Sequence, residues 1–153
     1  MEIVEDTLGP DIDIFLSRPL FAHLATTCDA GPRESPVWYL WEDGVMWING
    51  DRETDSFPGR VEQDPRCAVG VVDSDSTRGL IQHVGMRGAA SVVPFERERG
   101  KRLLSRYLGP DPDAWDPRFR SFITNPAESS VFVKFVPETV VARDQSYAPT
   151  PGV

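Results

Sequence analysis

The dipeptide Asp43-Gly44, set between the apolar runs Glu34–Glu42 and Val45–Asn49, limits what this chain can become more than any other feature. Asp-Gly supplies the two positive-φ positions of a type I′ turn, whose twist matches that of two adjoining antiparallel strands. The runs are therefore expected to form a hairpin. Within it Trp38 and Tyr39 must point to opposite faces, so at most one of them lines a given surface.

Other strand-length segments follow the same logic. Leu20–Thr27 reads as a strand, and Cys28–Pro32 as the turn leading back into the hairpin. Cys67–Val72 has the composition of a buried strand, and a longer one runs through Gln82–Gly88. Ser130–Val136 and Thr139–Arg143 read as two closing strands. Gly50–Arg66 reads as a long polar turn, and no element is expected before Asp11. Helical spacing is confined to three places. Asp11 caps a short helix that Pro19 stops, Leu103, Leu104, Tyr107 and Leu108 mark a helix ended by Gly109-Pro110, and Phe119, Phe122 and Ile123 mark another. Strands in hairpin order with late helices predict an antiparallel barrel or curled sheet.

The 153 residues, 40% of them hydrophobic, can bury one core. A single domain over 1–153 is expected, with its core at about 12–145 and a tail at 146–153 that orders only by docking. Sixteen basic against 24 acidic residues leave a net charge of −8, which disfavours nucleic acid and anionic membranes as partners. Neither a signal peptide nor a run of ~18 apolar residues is visible, so the expected location is cytoplasmic. Cys28 and Cys67 lack paired spacing and are read as reduced structural thiols. With His23 and His83 the only histidines, no metal site is expected.

The Gly50–Arg60 segment gathers Asp51, Arg52, Ser56 and Arg60 at a barrel rim, where arginine forks and backbone amides can hold an anion. Arg52 and Arg60 can equally pair with Glu53, Asp55 or Glu62. His83 and Arg87 are four residues apart and share a face of one strand; an ion pair from Arg87 to an acid is the plain alternative. His23, Arg106 and Tyr107 are read as packing or structural groups. No Ser-His-Asp order, carboxylate pair or Gly-rich loop is present, and no side chain is assigned a catalytic role.

Leu24-Ala-Thr-Thr27, Ser35-Pro-Val-Trp-Tyr39, Asp64-Pro-Arg-Cys-Ala-Val69, His83-Val-Gly-Met-Arg-Gly-Ala89 and Arg106-Tyr-Leu-Gly109, in that order, resemble the pyridoxamine 5′-phosphate oxidase-like family. The resemblance implies a mainly β, six-stranded antiparallel split barrel of the FMN-binding type. It also implies a homodimer with a flavin in each of two clefts along the interface, contacted by both chains. Ser35, Val37 and Trp38 would lie beside the isoalloxazine. Asp51, Arg52, Ser56 and Arg60 would lie in the phosphate segment, and His83 and Arg87 near the ring. Many such FMN binders carry a lysine where this chain has Phe57. The function implied is an FMN-dependent oxidoreductase acting on an unidentified small molecule. A deazaflavin-dependent reductase and a non-catalytic flavin-binding stress protein are the alternatives, the latter favoured by Phe57-Pro58. A haem reading through His83 has no second feature behind it.

Overall fold

Asp43 and Gly44 both adopt positive φ, 52° and 73°, and join β4 (Tyr39–Glu42) to β5 (Val45–Asp51) in the expected hairpin. This computed structural model describes residues 1–152. Around the hairpin run β1 (Glu2–Asp6), α1 (Ile12–Leu16), β2 (Ala22–Thr26), β3 (Arg33–Val37), α2 (Phe57–Gln63), β6 (Arg66–Asp75), β7 (Leu80–Pro94), α3 (Arg97–Leu108), α4 (Pro117–Thr124) and β8 (Ser130–Asp144).

The run expected as one strand is broken at Trp38. β3 pairs with β2, from Ala22↔Val37 to Thr26↔Arg33, whereas β4 pairs with β5, from Tyr39↔Ile48 to Glu42↔Val45. The sheet order is β3-β2-β6-β7-β8-β5-β4. Its two ends are thus halves of one run, and the sheet closes on itself through the chain at Trp38. Counting β3 and β4 as that single run gives the six strands of a split antiparallel barrel, with β1 added alongside.

Three local expectations are corrected. The segment before Asp11 holds β1, which pairs parallel to β8 and is tied there by Glu5, whose carboxylate receives Arg143 at 2.8 and 3.0 Å. Hydropathy alone could not reveal a strand exposed on both faces. The supposed polar turn contains α2, because Phe57, Pro58 and Val61 bury one side and proline is tolerated in a first helical turn. The two closing strands are one 15-residue strand, β8. At its middle Arg87 pairs with Thr139 and Gly88 with Pro137, so Glu138 is extra and the strand bends without ending.

Alternation on β5 builds two cores. Met46, Ile48 and Gly50 face the barrel interior with Phe15, Tyr39, Phe57 and Phe135. Trp47 and Asn49 face the other way, toward α3 and α4, where Leu103, Leu104, Trp115, Ile123 and Phe132 form a second core. Helix α3 is pinned to the barrel end as expected of Arg106 and Tyr107. The Tyr107 hydroxyl donates to the Leu20 carbonyl at 2.7 Å and accepts from the Tyr39 amide at 3.1 Å. Arg106 donates to the carbonyls of Leu16, Arg18 and Tyr39. Burial pushes the Tyr39 hydroxyl up to about 12. The tail docks through the Tyr147 amide, which donates to the Gly79 carbonyl at 2.8 Å. Both cysteines are free, and burial lifts the Cys67 thiol to about 11. No helix among the described residues is long and apolar enough to cross a membrane.

Glu42 joins α3 to the hairpin, accepting from Arg102 at 2.6 and 3.1 Å with Arg99 at 3.7 Å. The Arg102 hydrogen bonds hold its carboxyl below the usual 4.5, against the opposing effect of burial. A depressed acid stabilises the fold above its unfolded-state value and loses that contribution as pH falls through the folded value. Urea midpoints should therefore decline between about pH 5 and pH 3, and Glu42→Gln should flatten part of that decline, by less than ~1 kcal/mol because the pair is partly solvated. An unchanged profile in the variant would assign the acid sensitivity elsewhere.

Candidate functional site

Where the two cores meet, the break at Trp38 leaves a cleft of about 330 Å³ between the barrel and α3–α4. Val37, Trp38, Phe57, Phe119 and Phe122 form most of its wall, with Asn49 and Asp55 as its polar members. Trp38 lies parallel to Tyr107 with centroids 4.4 Å apart and against Phe119 at 5.6 Å. The Asn49 Oδ1 atom is buried and has no hydrogen-bond partner.

The rim beside this cleft differs from the anion site expected there. Asp51 organises the turn: its Oδ1 accepts from the amides of Glu53 (2.8 Å) and Thr54 (3.3 Å), and its Oδ2 from Ser129 Oγ at 3.0 Å. Those bonds, the Glu53 amide first, hold its carboxyl below the ordinary range. Arg52 is paired with Glu62. Arg60 pairs with no acid and points inward. It is 8% exposed, and its guanidinium donates to Thr26 Oγ1 (2.9 Å), the Thr26 carbonyl (3.4 Å), Cys28 Sγ (2.8 Å) and the Gly31 carbonyl. Phe57 also points inward, and a Cβ on Gly50 would lie 2.9 Å from its ring. An exposed arginine does stand at the rim, and sequence reasoning missed it. Arg33 Nη1 donates to Ser56 Oγ at 3.1 Å and has no acidic partner among the described residues. Its position at the start of β3, opposite Thr26, was the available signal.

His83 and Arg87 lie elsewhere, on the outer face of the sheet. Register places Ala25, Ala68, Gly70 and Gly85 on that face, with Ala25↔Ala68 and Gly70↔Gly85 as cross-strand pairs. The result is a shallow groove of about 520 Å³ with Ala68, Gly70 and Gly85 along one part of it and Val4, Thr139 and Val141 along the other, bordered by His83, Arg87 and Arg143. Burial, and then the Arg143 charge, hold the His83 imidazole below its ordinary value. Arg87 is exposed and makes no hydrogen bond or ion pair among the described residues. His23 corrects its reading as a packing group: it stands exposed on this outer face and is hydrogen-bonded to Glu34. Ser35 and Val37 face the interior opposite Leu24 and Ala22. The nine residues singled out from the sequence thus divide among the seam cleft, the rim, the interior and the outer face.

This chain has the split-barrel fold of pyridoxamine 5′-phosphate oxidase-like proteins. Conserved hypothetical protein Rv2991 from Mycobacterium tuberculosis superposes with a TM-score of 0.74 at 21% identity, over 94% of this chain and 89% of that one. An F420 reductase superposes at 0.64 and 21% identity, over 87% and 98%. A putative pyridoxamine 5′-phosphate oxidase from Listeria innocua superposes at 0.56 and 16% identity, over 84% and 90%. No protein-family model and no curated protein sequence matches the chain.

Proposed function

We propose that the protein binds a flavin-type cofactor and serves as an oxidoreductase for a small molecule, working as a homodimer. The observation that carries this reading is the outer-face groove, where Ala68, Gly70 and Gly85 leave a flat surface on which a planar ring system can lie. His83, neutral at physiological pH, would border the ring, and Arg87 would meet an anionic group. Val4, Val72 and Val136 are 61, 43 and 45% exposed, apolar surface that a second copy would cover. When bound, such a cofactor supplies hydride or electron transfer, and the chain's residues orient it and tune its surroundings.

The phosphate grip fits less well at α2 than at the start of β3. With Arg60 and Phe57 turned inward and Arg52 on Glu62, the pair Arg33–Ser56 is the available cationic hydrogen-bonding group of the rim. The second reading is a deazaflavin coenzyme, favoured by the likeness to an F420 reductase over 98% of that chain.

The absorbance spectrum of the protein as purified, followed by fluorescence titration with FMN and with a deazaflavin, tests the reading. One of the two should bind. Arg33→Ala should weaken that binding about ten- to hundredfold, the value of one charge-assisted contact to phosphate. Sedimentation should show a dimer. A monomer indifferent to both cofactors would end the proposal, and an unaltered affinity in Arg33→Ala would remove the rim assignment.

A further inference from the structure

We propose that His83 makes the homodimer pH-sensitive: proton uptake by its imidazole separates the two copies. This rests on the homodimer proposed above, with the outer face as its contact, and adds the group that regulates it.

The outer face suits a second copy because it is complementary to itself. Register sets Glu34, Ala25, Ala68 and Arg87 in one row across β3, β2, β6 and β7. The row has an acid at one end and a guanidinium without an acidic partner at the other, with only methyl groups between. A two-fold axis running along the strands between β2 and β6 lays Glu34 of each copy opposite Arg87 of the other. Four residues along β7 on the same face, His83 falls within the area that such a contact covers.

His83 is placed so that its charge goes uncompensated. Val72 stands opposite it on β6 and Arg143 on β8. A Cβ on Gly85 would lie 3.1 Å from its Cε1 atom, and one on Gly70 3.8 Å from its Nε2, so the ring leans over bare backbone. The charged groups of this face are Arg87 on β7, Arg143 on β8, Glu5 on β1, His23 on β2 and Glu34 on β3; β6 turns none outward here. Glu5 is held by Arg143, and Glu34 by His23 and, in the dimer, by Arg87. An imidazolium at position 83 therefore finds no free acid and adds a cation to a face that already carries Arg143 and Arg87. Burial, then Arg143, hold the imidazole below the ordinary 6.5 within one copy, and cover by a second copy removes more of its water. The dimer thus binds fewer protons than two free copies. It is strongest above the value His83 has in the free copy and weakens as pH falls through that value. Net charge acts in the opposite sense: the chain carries −8 at pH 7, so added protons reduce the repulsion between copies. Dissociation on mild acidification is therefore a local effect.

Sedimentation of the full chain at pH 7.5 and 5.5, with no cofactor added, tests this. The dissociation constant should rise about ten- to hundredfold at the lower pH, since each of two histidines contributes at most about tenfold per pH unit. His83→Phe keeps a flat ring that takes no proton, and His83→Gln keeps a polar group; both should stay dimeric at both pH values. His23→Gln should follow the parent. A parent that is dimeric at both pH values with one constant overturns the switch and leaves the dimer standing, whereas a parent monomeric at both removes the dimer and the switch together. The switch also falls if both His83 variants weaken with acid as the parent does, which assigns the sensor elsewhere. It falls equally if both are monomers at pH 7.5, which makes the imidazole a packing contact.

Discussion

Arg60→Ala should lower folding stability by on the order of 3 kcal/mol, read as a fall in the urea midpoint and a melting temperature reduced by roughly 6–12 °C. Arg60 projects from α2 across the interior to the turn between β2 and β3 and satisfies three oxygens and a sulfur there. Truncation leaves the Gly31 carbonyl and the buried Thr26 hydroxyl without the Arg60 donor, and removes most of a buried side chain from the interior. Arg60→Lys should recover little, because an ammonium is a point donor and cannot reach around the turn as a planar fork does. Cofactor affinity, measured on the folded fraction, should change far less than in Arg33→Ala. A melting temperature within about 2 °C of the parent would mean that the turn is held by other contacts.

Gly88→Ala should be comparably damaging, on the order of 3 kcal/mol, for a purely steric reason. A Cβ at Gly88 would lie 2.2 Å from the Val136 carbonyl oxygen and 2.8 Å from Pro137 Cα, both backbone atoms of the bulge in β8. Backbone cannot rotate aside as a side chain can, so either the bulge moves or the β7–β8 ladder opens at its centre. Gly70→Ala supplies the contrast. Its added methyl would meet only His83 Nε2, at an ordinary 3.8 Å, so stability should change by less than about 1 kcal/mol. Thermal melts of the two variants side by side decide the matter; equal melting temperatures would show that the bulge is pliable.

Much of the β architecture was legible because it is written in short-range chemistry. Asp43-Gly44 announces its turn through the φ values that only such residues adopt readily, and the strands on either side announce themselves by runs of branched and aromatic residues. Helix α3 was equally plain, since Leu103, Leu104, Tyr107 and Leu108 carry the period of the face they bury. Elements whose residues are exposed or mixed carried no such mark. β1 is solvated on both sides and exists because β8 offers it a ladder. α2 is too short and too polar for its period to stand out until the barrel covers Phe57 and Val61.

The site was less legible than the fold, and Arg33 and Arg60 show why. Both are arginines near a turn, and nothing in their neighbours distinguishes the one that faces solvent beside Ser56 from the one that reaches 34 residues back to Thr26. Sequence alone determined that this chain makes an antiparallel sheet with a hairpin at 43–44, one core's worth of apolar residues and an arginine-bearing rim, because turn chemistry and side-chain period act over a few residues. Only the tertiary structure decided that the sheet closes through Trp38, that Phe57 and Arg60 turn inward, and that His83 stands on a different face from Val37. Those outcomes depend on which distant strands pair and in what register, and a shift of one residue there reverses the side of the sheet on which every group appears.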